Sequence, residues 1–171
     1  DILPETAEFG LFAKEVFREM TTKAGQKCTA IRRIFVPEAQ LELMVEKLKK
    51  SLSQVVVGDP RNKNTCMGAL VSEAQKRDVL KKAKLIGQDA DCVSGKPYQF
   101  DLQNVDLQKG AFVPPLLFCC WSPDSAAHVH DVEAFGPVST IMAYRDLDHA
   151  TELLNRGKGS LVASVITNDT D

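Results

Sequence analysis

Apolar residues near the start of the chain recur three and four apart. Phe9, Phe12, Val16, Phe17 and Met20 make one stripe, the spacing of a helix that buries a single face. It predicts a helix over residues 6–24, with Gly25 as its stop. The pattern then changes. Residues 30–36 are apolar and β-branched and close on Pro37, which reads as a strand. Helical spacing returns over residues 38–52, where Leu41, Met44, Val45, Leu48 and Leu52 share a face. Residues 55–57 read as a short buried strand, cut off by Gly58-Asp59-Pro60.

Residues 61–65 form a polar loop. Ser72 is placed to cap a helix running to about Ile86, with Val79, Ala83 and Ile86 on its apolar side. Residues 91–93 read as a brief strand, and the polar, turn-rich stretch 94–110 as a hairpin or an excursion. Strands are predicted over 116–120 and 138–144 and a helix over 146–155. Gly157-Lys158-Gly159 makes a turn, and 161–167 reads as a closing strand. Such alternation of helices and strands favours crossover connections. The expected fold is α/β, a mainly parallel sheet covered by helices. With no repeat and no internal linker, residues 1–171 are expected to form one domain.

The 171 residues suffice for one core, and 44% hydrophobic with 26% charged residues is an ordinary soluble balance. A formal net charge of -2 provides no basic field for nucleic acid or for an anionic membrane. Apolar runs such as 112–121 are too short to span a bilayer. The five cysteines are odd in number and include no C-x-x-C, so a reduced, cytoplasmic protein is expected. Cys66, Cys92, Cys119 and Cys120 read as packing residues. The opening Asp1-Ile2-Leu3-Pro4-Glu5 is neither a signal peptide nor an initiator region, so part of a longer protein is expected. His128-Val129-His130 could set two imidazoles on one side of a strand, but the ligands of a structural metal site are not gathered in sequence, and no metal is predicted. His149 is expected at the surface, and the charged run 76–84 on a solvated helix face.

Chemistry enters with Cys28, in Ala24-Gly25-Gln26-Lys27-Cys28-Thr29-Ala30, at the junction between a helix pattern and a strand pattern. A thiolate there could attack an aldehyde carbonyl, and the backbone N–H of Cys28 could support the oxyanion. Lys27, Arg32 and Arg33 are near in sequence. In a strand, however, Lys27 points away from Cys28, and the carboxyl end of the preceding helix disfavours a thiolate. Activation is therefore expected from groups elsewhere. Position alone fits a buried, inert thiol better. Far along the chain, Glu133-Ala134-Phe135-Gly136-Pro137-Val138 combines an acceptor-only carboxylate suited to a ribose diol with an aromatic face and a glycine that permits close approach.

Gly25-Gln26-x-Cys28 followed by Glu133-x-Phe135-Gly136-Pro137 resembles the aldehyde dehydrogenase superfamily. Val57-Gly58-Asp59-Pro60 and Met67-Gly68-Ala69-Leu70-Val71 look like its intervening segments, though the family more often has proline at the position of Ala69. The resemblance implies that Cys28 is the nucleophile, forming a thiohemiacetal and then a thioester. It implies that Glu133 and Phe135 contact the nicotinamide riboside of NADP or NAD, and that the full-length protein is a homo-oligomer. Residues 18–33 and Val129-His130 are most similar to the semialdehyde dehydrogenase branch of phenylacetate degradation, whose substrate is an acyl-CoA semialdehyde. The chain has no glycine-rich pyrophosphate turn. By this resemblance it is a catalytic domain without its dinucleotide-binding domain and carboxyl-terminal segments, and inactive alone. A coenzyme-A-acylating aldehyde dehydrogenase and a non-catalytic assembly module are the alternatives.

Overall fold

Helix α1 (Phe9–Thr21) lays Phe12, Ala13, Val16 and Met20 into the core, as the stripe requires. The computed structural model describes residues 9–106 and 109–167, so residues 6–8 of the expected helix lie outside it. The helix stops at Thr21 rather than at residue 24. Thr21 and Thr22 hydroxyls donate to the Phe17 and Arg18 carbonyls at 2.8 and 2.7 Å, and Lys23, Ala24 and Gly25 then take left-handed backbone angles, with φ of 53, 52 and 67°. Three such residues in succession end a right-handed helix.

Strand β1 (Arg33–Pro37) is buried throughout. After one 3₁₀ turn comes α2 (Leu41–Leu52), whose buried residues are Leu41, Met44, Val45, Leu48 and Leu52. The expected strand over 55–57 shrinks to β2 (Val57–Gly58). Ser72 caps α3 (Glu73–Ile86), its side chain accepting from the Gln75 N–H at 3.1 Å. Strand β3 (Asp91–Ser94) follows. Within the polar stretch, β4 (Leu102–Gln103) pairs in parallel with β2, so the stretch is an excursion and not a hairpin. Strand β5 (Leu116–Cys120), a single helical turn α4 (His128–Asp131), β6 (Val138–Tyr144) and α5 (Leu147–Asn155) complete the order. Among the described residues, no helix is long and apolar enough to cross a membrane.

The main sheet has the order β1-β6-β5-β3. β6 is parallel to β1, with Arg33 opposite Thr140, and parallel to β5, with Leu116 opposite Val138. β3 is antiparallel to β5 at one edge. Side chains alternate between two cores. Ile34, Val36, Leu117, Cys119 and Ile141 meet the buried faces of α1 and α2. Phe35, Leu116, Phe118, Val138 and Met142 meet Val79 and Ile86 of α3 and Leu153 of α5. Both faces of β1, β5 and β6 are thus covered, the condition under which parallel strands are stable. The fold is the expected α/β arrangement.

Four local expectations fail. Residues 161–167 make no strand beyond an isolated bridge at Val165, and Leu161, Val162 and Val165 stay exposed; β-branched residues remain irregular without a ladder to join. His149 is buried, because its Nε2 lies 2.8 Å from an Asp124 carboxylate oxygen while its Nδ1 accepts the Arg145 N–H at 3.1 Å. The segment around His128 and His130 is helical, fixed by Asp89, which takes the N–H groups of Ala127 and His128. Finally, Cys66 and Cys92 are exposed, whereas Cys119 and Cys120 are buried. Cys66 follows the polar loop, and Cys92 sits on the edge strand.

Candidate functional site

Cys28 is exposed on a tight turn closed by the Ala30 N–H donating to the Lys27 carbonyl at 3.1 Å. Exposure excludes a buried thiol. Gln26 braces the turn from behind. Its Nε2 donates to the Lys23 carbonyl at 3.1 Å, and its Oε1 accepts the Val71 N–H at 2.9 Å. Among the described residues the Cys28 N–H has no hydrogen-bond acceptor, so it is available to a developing oxyanion.

The second peptide sits directly against the first. A Cβ on Gly25 would stand 2.5 Å from the Gly136 carbonyl carbon and 2.8 Å from the Pro137 nitrogen. Only glycine fits at such a backbone contact and at a φ of 67°. Gly136 is pressed in turn against Val79, where an added Cβ would come within 2.7 Å of a methyl group. The Pro137 carbonyl accepts the Leu116 N–H at 2.8 Å, where the β5–β6 ladder begins. Further along, the Ser139 hydroxyl donates to the Ile31 carbonyl and the Thr140 N–H to the Arg32 carbonyl, each at 2.9 Å. These bonds tie the strand after Cys28 to the strand after Glu133.

Cys28, Glu133 and Phe135 consequently line one cleft of about 510 Å³, together with Glu19, Lys27 and Arg32. Glu133 is exposed. Phe135 is 38% exposed, and its carbonyl is fixed by Gln75 Nε2 at 2.7 Å. An acceptor-only carboxylate and an open aromatic face on one wall fit the ribose and ring of a nicotinamide riboside.

The cations near Cys28 are largely committed elsewhere. Lys27 Nζ lies 2.6 Å from Glu19 Oε2, with both side chains about one-fifth exposed. Arg33 is buried, donates to the Leu153 and Leu154 carbonyls at 2.6 and 2.8 Å, and also lies 3.1 Å from His130 Nδ1. Burial, and then the charges of Arg32 and Arg156, lower the Arg33 guanidinium to about 10, so it stays charged at neutral pH. A guanidinium only donates. His130 Nδ1 is therefore an acceptor, and its Nε2–H donates to the Pro123 carbonyl at 3.0 Å. Arg32 is lowered by burial, against the opposing charges of Glu133 and Asp131.

The sequence did not disclose the bracing roles of Gln75, Arg33 and His130. The only hint was a pair of arginines at the mouth of a buried strand, where charge must find acceptors. Among the described residues, no group of three or more histidine, cysteine, aspartate or glutamate side chains could hold a metal ion.

A 3,4-dehydroadipyl-CoA semialdehyde dehydrogenase of Aromatoleum evansii is 42% identical over 169 residues, covering 99% of this chain and 33% of the relative. A putative aldehyde dehydrogenase of Staphylococcus aureus (strain MSSA476) is 33% identical over 158 residues, covering 92% and 32%. A mutant of aldehyde dehydrogenase C from Pseudomonas syringae, crystallised with NAD+ and octanal, superposes with a TM-score of 0.84 at 27% identity, covering 99% and 34%. The chain thus spans about a third of the length of the proteins it matches. The pattern of the Aldehyde dehydrogenase family matches residues 2–171. The close-packed cysteine and glutamate peptides, the sheet that carries them and this end-to-end match agree, and the chain belongs to the aldehyde dehydrogenase family.

Proposed function

We propose that the chain is the catalytic domain, residues 1–171, of an NAD(P)-dependent aldehyde dehydrogenase that oxidises an acyl-CoA semialdehyde to the acid. The observation that carries this is the convergence of Cys28, Glu133 and Phe135 on one cleft from distant parts of the chain. The 42% identical relative, named for a CoA semialdehyde, supports the substrate class.

The Cys28 thiolate attacks the aldehyde carbon. A C–S bond forms, and the carbonyl π electrons move to oxygen. The Cys28 N–H supports that oxygen where negative charge develops. When bound, a nicotinamide cofactor would supply the hydride acceptor needed for the Cys28 adduct to become a thioester. Glu133 would hold the ribose hydroxyls of that cofactor and Phe135 would back its ring. Water, or another acceptor, then attacks the thioester carbon and releases the Cys28 sulfur. The open mouth of the cleft admits both aldehyde and water.

Among the described residues, nothing cradles a pyrophosphate on glycine-rich backbone. The dinucleotide-binding domain is therefore assigned to the two-thirds of the relatives' length that this chain does not span. Phenylacetate degradation, a cytoplasmic setting with reduced thiols and a homo-oligomeric parent belong to the same proposal.

Two measurements test it. Mixed with aldehyde and NAD or NADP, the 171-residue chain gives no sustained rise in reduced-cofactor absorbance; sustained turnover would overturn the division of the site between domains. In the full-length protein, Cys28→Ser abolishes turnover while cofactor binding persists, and Glu133→Gln weakens cofactor binding with Cys28 still alkylated at the wild-type rate. An active Cys28→Ser enzyme would overturn the proposal.

A further inference from the structure

Arg32 is the cation of the cleft that keeps N–H donors in reserve. Its Nη2 donates to the His130 carbonyl at 3.1 Å, the Gly157 carbonyl at 3.3 Å and the Ser160 hydroxyl at 3.2 Å. These bonds pin the guanidinium against the cleft wall. Its Nε and Nη1 make no hydrogen bond to a described residue, and no ion pair within 4 Å links it to Glu133. The other two cations of the cleft differ. Lys27 is held by Glu19, and Arg33 is spent on backbone carbonyls and His130. Arg32 is half-buried and lies only four positions beyond Cys28 on the same cleft. A partly desolvated guanidinium with spare donors is completed by an anionic oxygen, ideally one that accepts from two N–H groups.

From this we infer that Arg32 is an anion-recognition residue of the Cys28 cleft, taking a carboxylate or phosphate oxygen carried by the aldehyde substrate. This rests on the reading of Cys28 as the attacking thiol, and it adds a specificity: anionic aldehydes are drawn to the sulfur and neutral ones are not. Glu19 and Glu133 also face the cleft. Glu19 is neutralised by Lys27, and Glu133 remains as an opposing charge that an anionic ligand must avoid. Glu133 and Asp131 both act on Arg32, so an anionic ligand competes with them for its charge and is held by the spare N–H donors.

The test uses two alkylating reagents of similar size, anionic iodoacetate and neutral iodoacetamide, with the 171-residue chain. Peptide mapping by mass spectrometry reads each cysteine separately. The exposed Cys66 and Cys92 serve as internal references. At low ionic strength, the iodoacetate-to-iodoacetamide rate ratio is expected to be about threefold or more higher at Cys28 than at the reference thiols, and to collapse at about 1 M sodium chloride. In Arg32→Gln the Cys28 ratio falls to the reference value, while its iodoacetamide rate stays within about twofold, so the turn is intact. Arg32→Lys keeps part of the preference, because it retains charge without the planar fork. Inorganic phosphate slows alkylation of Cys28 by iodoacetate in the wild type and not in Arg32→Gln. An unchanged ratio in Arg32→Gln, or a preference for iodoacetate equally strong at Cys66, overturns the inference. A Cys28 slower than Cys66 with both reagents counts instead against the attacking-thiol reading, and the ratio stays readable.

Discussion

Replacing Gly25 by alanine is the sharpest perturbation of the contact that brings the two cleft peptides together. Two costs combine. Gly25 has a φ of 67°, where an L-residue loses about 1–2 kcal/mol. The new Cβ would also meet backbone atoms at 2.5 and 2.8 Å, and closer still at the Gly136 oxygen. Backbone cannot swing aside as a side chain can, and overpacking of this kind typically costs about 1–3 kcal/mol. A central total of about 3 kcal/mol lowers the Tm of a domain this size by about 6–12 °C. The assay is a thermal melt followed by circular dichroism and by fluorescence of Trp121. Gly10→Ala is the matched control. Gly10 lies exposed in α1, with nothing within 4 Å of an added Cβ. There, alanine improves helix propensity and stabilises by about 0.5–1 kcal/mol. Gly25→Ala melting within about 2 °C of the wild type would refute the close backbone contact and the cleft built on it.

Two further outcomes follow from the same structure. Ser72→Ala removes the acceptor of the Gln75 N–H at the start of α3 and costs about 1 kcal/mol. Ser72→Asp retains the acceptor, so equal melting temperatures for the two variants would argue against the cap. His130 is held below its ordinary value by burial and then by Arg156 and Arg33, against the Pro123 carbonyl. The unfolded chain protonates this histidine near its usual pKa of about 6.5, and the folded chain only lower. Its contribution to stability is therefore complete above about pH 6.5 and eroded as the pH falls below that. Urea midpoints measured from about pH 7.5 to about pH 5.5 should fall more steeply in the wild type than in His130→Gln; parallel slopes would contradict the assignment.

Period and punctuation made most of the framework legible. The stripes of α1 and α2, the Ser72 cap and the strands 116–120 and 138–144 each rest on a local signal, and the structure keeps them. Cys28, Glu133 and Phe135 were legible through motif, and their meeting only through the resemblance, since no local signal carries it. It depends on Gly25 touching Gly136, a contact between two residues without side chains. His149 and His130 were misplaced because their burial is set by Asp124, Arg33 and Pro123, partners that spacing along the chain cannot reveal. Residues 161–167 have the composition of a strand, but composition supplies no neighbouring ladder. Arg33 entered a buried strand because backbone carbonyls of α5 were waiting for it.

The position of β6 between β1 and β5 has a consequence for the newborn chain. During synthesis β1 and β5 emerge first, and each waits with a bare row of N–H and C=O groups for a strand that is still inside the ribosome. Until residue 144 is free, the gap in the sheet is an invitation to pair with a neighbouring nascent chain. Closing it also demands a long loop, which slows the step. The nascent chain is therefore open to aggregation in the interval before β6 inserts, when the thiol already exists but has no cleft to sit in.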